Sequence, residues 1–158
     1  MKVIFLDIDG VITDKSGMSF DATKMKMIKG LCIATEAKIV VSSSWRRGNL
    51  ADTISELTGF GNSYVPVPYA LSDLTIDITP YVIASETGER GRQFHVQRGV
   101  EIDLWLKDHD VENYVILDDE NDMLYDQASH FVHINCKEGL TIDDCFKAVD
   151  ILNNKIKY

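Results

Sequence analysis

Two carboxylates, Asp7 and Asp9, stand one residue apart directly after the apolar run VIFL, and Gly10 follows them. Side chains at i and i+2 of an extended chain point to the same side. Like charges that close raise each other's proton affinity unless a cation or a chemical task accounts for them. A second apolar run, YVIL, ends in Asp118 and Asp119, and a third, KIVV, ends in three serines beginning at Ser42. Carboxylates converging without a cysteine or histidine cluster suit a hard cation such as Mg²⁺. Such an ion would relieve the repulsion between Asp7 and Asp119 and give an oxygen-rich group such as a phosphate a place to bind. A carboxylate so relieved, Asp7, can attack phosphorus and form an aspartyl-phosphate. Asp9, near the leaving group, can then serve as acid and later as base, and Gly10 lets the backbone turn sharply around the bound anion.

Each signal alone is weak. DxDG occurs in calcium loops and plain turns, and an acidic pair after a strand is commonly a solvated loop. The joint arrangement carries the reading: acids at two strand ends, hydroxyls at a third, and an arginine-opened helix ahead of the second acidic cluster.

The elements that must position these residues alternate along the chain. Residues 3–6, 38–42, 113–119 and 130–134 read as short buried strands, and LTIDI (74–78) is the candidate third strand. Helices are predicted from Asp21 as N-cap, over the stretch carrying Leu50, Ile54 and Leu57 up to Gly59, over about 99–109, and within LTIDDCFKAVDILNNK (140–155) with Thr141 as cap. Thr141 with Asp144 three residues on is an acidic variant of the capping box. Continuous apolar strands alternating with helices imply an α/β fold, a three-layer Rossmann-like sandwich with a mostly parallel five-stranded sheet. In such sheets ligands sit beyond the carboxyl ends of the strands, where Asp7, Ser42, Asp118 and Asp119 all fall. The stretch 60–96, which holds all three prolines, is the least legible.

The 158 residues, 45% of them hydrophobic, fit one domain over 1–158. No apolar run is long enough to span a membrane, and nothing resembles a signal peptide. Three cysteines at no metal or redox spacing read as reduced thiols, so a cytoplasmic setting is expected. A net charge of −9 argues against strong non-specific nucleic-acid binding. It leaves room for a small basic patch gripping one phosphate or one strand end.

FLDIDGV, VVSSSWR, the helix opened by RGVEIDLWL, and YVILDDENDM resemble, in order, the four motifs of the haloacid dehalogenase (HAD) phosphohydrolase superfamily. The wording is most similar to the HAD domain associated with Swiss-Army-Knife RNA repair proteins, and the late GLT at 139–141 resembles that family too. The resemblance implies Asp7 as nucleophile and Mg²⁺ ligand, with Asp9 binding the metal by its backbone carbonyl and acting as general acid/base. Ser42 would hydrogen-bond the transferring phosphoryl group, with Ser43 as the alternative. Asp119 would be the second metal carboxylate, supported by Asp118 and Asp122. The third motif is usually lysine; here Arg98 matches it best, keeping the charge but changing a point into a fork. Lys107 on the same helix is the alternative, although a cation near a helix end is ordinarily there for the dipole.

Neither gap between the early motifs has room for a cap domain. The first holds a short flap (about 11–20) and one helix; the second holds a helix and a strand that the core needs. An open site suits a bulky phosphorylated substrate such as an RNA or DNA end, or a phosphoprotein, with no obligate protein partner evident. Arg46 and Arg47, then Arg90, Arg92, His95 and Arg98, lie near that rim; a phosphate-gripping patch and a solvated loop balanced by Glu86 and Glu89 remain equal alternatives. Arg46 is the candidate substrate contact. Trp45 beside it could stack a base, though a tryptophan opening a helix is ordinarily core. The rivals to a phosphatase are a receiver-like signalling domain, with its phosphorylated aspartate on a later strand, and a catalytically idle module holding a nucleotide or RNA end.

Overall fold

The computed structural model describes residues 1–13, 19–46, 48–59, 70–85 and 93–154, with the side chains of 56, 58 and 59 excepted. Most of the expected flap, Arg47, Glu86, Glu89, Arg90 and Arg92 lie outside the described residues. Five strands make one all-parallel sheet: β1 (Lys2–Leu6), β2 (Lys38–Val41), β3 (Thr75–Ile78), β6 (Asn113–Asp118) and β7 (Phe131–His133). Their order is β3-β2-β1-β6-β7. A short antiparallel hairpin, β4 (Ile83–Ser85) with β5 (Gln93–His95), precedes the third helix.

The strands are apolar on both sides because both sides are covered. Ile4, Leu6, Ile39, Val41, Val115 and Leu117 pack with Met25 and Ile28 of α1 (Ala22–Thr35), Leu57 of α2 (Leu50–Gly59) and Ala148 and Leu152 of α4 (Ile142–Leu152). On the other face Val3, Phe5, Val40 and Ile116 meet Ile102 and Trp105 of α3 (Arg98–Lys107). Phe5 meets the Trp105 ring edge-on at 5.4 Å, a preferred aromatic geometry. This is the three-layer α/β arrangement expected.

Local chemistry sets the helix ends. Asp21 caps α1 by accepting from the Thr23 and Lys24 amides at 2.8 and 3.3 Å. Thr141 and Asp144 close a reciprocal capping box on α4. Helix α3 differs: its N-cap residue Gln97 gives no side-chain bond. Instead Asp122, from the loop after β6, accepts the Arg98 amide at 2.8 Å and, by its backbone carbonyl, the Gly99 amide at 3.3 Å. A Cβ on Gly99 would overlap the Leu124 amide and the Gln127 side chain, so glycine permits this close approach.

The strand order explains where a ligand belongs. From central β1 the chain steps outward through β2 to β3, then returns to β6 on the other side of β1. The direction of progression reverses between β1 and β6, and the crevice at such a switch point is the usual site in an open α/β sheet. The ladder continues just past the strands: the Asp7 amide donates to Leu117 O at 3.0 Å and the Ser42 amide to Leu6 O at 2.9 Å.

Candidate active site

Asp7 and Asp118 lie on neighbouring strands at the crevice, since Leu6 pairs with Leu117 just before them. With Asp119 they form a cluster in which one carboxylate oxygen from each lies within 4.8 Å of the others. Gly10, at φ 68°, brings the turn after β1 so close to Asp119 that a Cβ there would overlap its carboxylate. Three acids so near one another, two of them buried, are costly when charged. Burial above all pushes Asp7 up to about 7, against the pull of a Ser43 hydrogen bond and the Arg98 charge. Burial, then the charge of Asp7, pushes Asp118 up to about 8. Asp119 is raised too, by burial first and by Asp9 to a smaller extent.

The donor set is all oxygen, and these residues can hold a divalent cation. One observation besides proximity supports the fit: Asp118 Oδ2 is buried without a hydrogen-bond partner, while Oδ1 accepts from the Glu120 amide at 2.9 Å.

Arg98 faces the acids from the start of α3. Its Nε is 3.7 Å from Asp118 Oδ2 and its Nη2 is 4.0 Å from Asp7 Oδ1. That Nε is also buried without a hydrogen-bond partner. Behind it stands Glu101, 2% exposed, a residue to which the sequence alone assigns no role. Glu101 Oε2 is 3.4 Å from Arg98 Nη1 and 2.9 Å from Arg46 Nη2, and Oε1 accepts the Val82 amide at 3.0 Å. Lys107 sits at the other end of α3, exposed and paired with Asp103 at 2.7 Å. Of the two candidates for the third motif, only Arg98 is brought to the acids.

The other expected residues fall into distinct places. Asp9 is exposed, and its Oδ2 accepts from Trp45 Nε1 at 2.7 Å. Trp45 itself is buried against Phe20, the core placement expected. Of the serines, Ser42 is buried and accepts from the Thr79 hydroxyl at 3.5 Å, Ser43 hydrogen-bonds Asp7, and Ser44 opens onto the cleft. Asp122 gives one oxygen to the α3 amide while Oδ1 stays buried without a partner. Arg46 lines the cleft, yet its guanidinium is engaged by the protein: Nε donates to Ser43 O, Nη1 to Thr79 Oγ1 at 2.6 Å and Pro80 O at 2.8 Å, and Nη2 pairs with Glu101. Read from sequence as a substrate contact, it spends its donors holding β2, β3 and α3 together at the rim.

Residues 3–145 match the HAD domain in Swiss Army Knife RNA repair proteins. The chain belongs to that family. No curated protein and no solved structure matches it. The acid crevice thus lies in a HAD domain, a hydrolase type in general. Among the described residues no helix is long and apolar enough to cross a membrane.

Proposed function

We propose that this HAD domain is a Mg²⁺-dependent phosphohydrolase that cleaves phosphomonoesters through an aspartyl-phosphate on Asp7. The observation that carries the reading is the convergence of Asp7, Asp118 and Asp119 at the switch point, with Arg98 facing them. Asp7, Asp118 and Asp119, with the Asp9 backbone carbonyl, would hold the ion. When bound, Mg²⁺ supplies charge that offsets the acids and the substrate oxygens.

The residues then divide the work. An Asp7 carboxylate oxygen attacks phosphorus, and the bond from phosphorus to the leaving oxygen breaks. Asp9, steered by Trp45, gives its proton to that oxygen. The same carboxylate next takes a proton from water, whose oxygen attacks phosphorus and frees Asp7 and inorganic phosphate. Arg98 and Ser44, both lining the cleft, meet the phosphoryl oxygens, Ser44 in the place expected of Ser42 or Ser43, which are both buried. The association of the family with RNA repair, together with the exposed rim, supports a phosphorylated RNA or DNA end as substrate.

Hydrolysis of a panel of phosphorylated esters and oligonucleotides tests this. Activity is expected with Mg²⁺ and should vanish with chelator; activity that survives exhaustive chelation overturns the metal assignment. Asp7→Asn should abolish both turnover and acid-stable phosphoenzyme. Label recovered on Asp118 or Asp119 would support a receiver-like reading instead.

A further inference from the structure

The cleft of about 360 Å³ that holds the acids does not end at them. A second cavity, about 530 Å³, adjoins it, and Arg46 and Tyr81 line both. Tyr81 is 54% exposed yet held in place. Its hydroxyl lies 3.2 Å from His95 Nε2, the two rings are 4.9 Å apart, and the Arg46 guanidinium lies 5.3 Å from its ring centroid. Arg46 is in turn fixed by Glu101. The aromatic face is therefore already ordered before anything lands on it, which lowers the entropic cost of stacking.

Beyond Tyr81 the cavity is lined by Ile78, Pro80, Leu104 and Trp105, the last stacked on His109 at 3.7 Å. Its cations already have partners: Arg46 has Glu101 and Lys107 has Asp103, with Asp108 also in the lining. Among the described residues, a second phosphate would find no spare positive charge there. An uncharged planar group would find an ordered ring and apolar walls.

We infer that Tyr81 and the cavity behind it take the nucleobase of the leaving group, one sugar away from the phosphate that Asp7 attacks. This rests on the phosphohydrolase reading and narrows it to nucleotide ends.

Two measurements test the inference. The first compares kcat/KM for adenosine 5′-monophosphate and ribose 5-phosphate, which differ at C1′, where one carries the base and the other a hydroxyl. Wild type should prefer the nucleotide by roughly tenfold, the scale of one base stacked on an aromatic ring. Tyr81→Ala should bring the ratio close to one, and Tyr81→Phe should keep most of it. The second needs no catalysis: saturation-transfer NMR with adenosine should show transfer to the base protons in wild type and Tyr81→Phe, and at least threefold less in Tyr81→Ala. Equal use of both esters by wild type, a ratio or a transfer signal untouched by Tyr81→Ala, or a preference for a phosphotyrosyl peptide over the nucleotide would overturn it. If neither ester were turned over, the hydrolytic reading would fall, and the adenosine experiment would decide the role of Tyr81 by itself.

Discussion

Arg98 touches the acids with one edge of its guanidinium and is held from behind by Glu101. A preorganised cation at developing phosphoryl charge is worth roughly 3–4 kcal/mol, so Arg98→Ala should lower kcat/KM by about 10²-fold or more. Arg98→Lys should retain part of the activity, and Lys107→Ala, at the far end of α3 from the acids, nearly all of it on an ester that carries no base. Loss with Lys107→Ala but not Arg98→Ala would reverse the assignment. Glu101→Gln keeps the shape and the acceptor for the Val82 amide but removes the anion between two arginines. It should lower kcat by about tenfold and Tm by several degrees, since stripping one partner from a buried ion pair is destabilising. An unchanged kcat would mean that Arg98 orients itself. Glu101 was legible as a letter of the RGVEI motif but not as a part. An acid in the first turn of a helix ordinarily sits in water and favours the dipole, and only its tertiary contact with Arg46 reveals the burial. Arg46 is the mirror case: the sequence offers a basic residue after a rim motif as a substrate contact, and only the fold shows the five acceptors it already meets.

At the scale of elements, α3 acts as a rod whose start is bolted to the loop after β6. Asp122 takes the first amide, and Gln127 Nε2 donates to Gly99 O at 2.8 Å while its Oε1 accepts the Leu124 amide at 2.9 Å. Gly99→Ala must push these apart, because the added methyl meets the Leu124 and Met123 backbone as well as the Gln127 side chain, and the backbone cannot swing aside. The expected cost is about 1–3 kcal/mol of stability, with kcat falling as Arg98 leaves the acids. Gly30→Ala in α1 meets nothing within 4 Å, so it should stabilise by roughly 0.5–1 kcal/mol and leave kcat alone. Thermal melts and kinetics on both variants check the contrast; equal effects would show that α3 is loosely seated. The sheet strands and main helices were readable because each is a continuous apolar run or a spaced apolar face. The hairpin β4–β5 was not. Its three-residue strands bury no face, so neither alternation nor an apolar run marks them in the proline-containing stretch. Yet that hairpin supplies His95, the partner that fixes Tyr81 at the cleft.

Across the whole molecule, the acid cluster sets how stability responds to pH. Asp7 and Asp118 sit at about 7 and about 8 in the folded metal-free protein, against 3.8 as the ordinary value. Between those limits the folded state binds more protons than the unfolded one, so stability falls as pH rises through the window. In chelator, Tm should therefore drop from about pH 5 to about pH 8, and added Mg²⁺ should restore more of it at the upper end, because the ion binds the folded, deprotonated form. A Tm in chelator that climbs across that range would count against two buried acids sharing one crevice. The strand order has a further consequence, for synthesis. β1 is the middle of the sheet and is made first, but its neighbour β6 arrives more than a hundred residues later, as the pairing of Leu6 with Leu117 shows. Until then a growing chain carries a flat apolar strand with one edge unpaired, the form most prone to stick to its neighbours. Neither half of the acid cluster exists without the other, so the crevice cannot form until translation has passed Asp119.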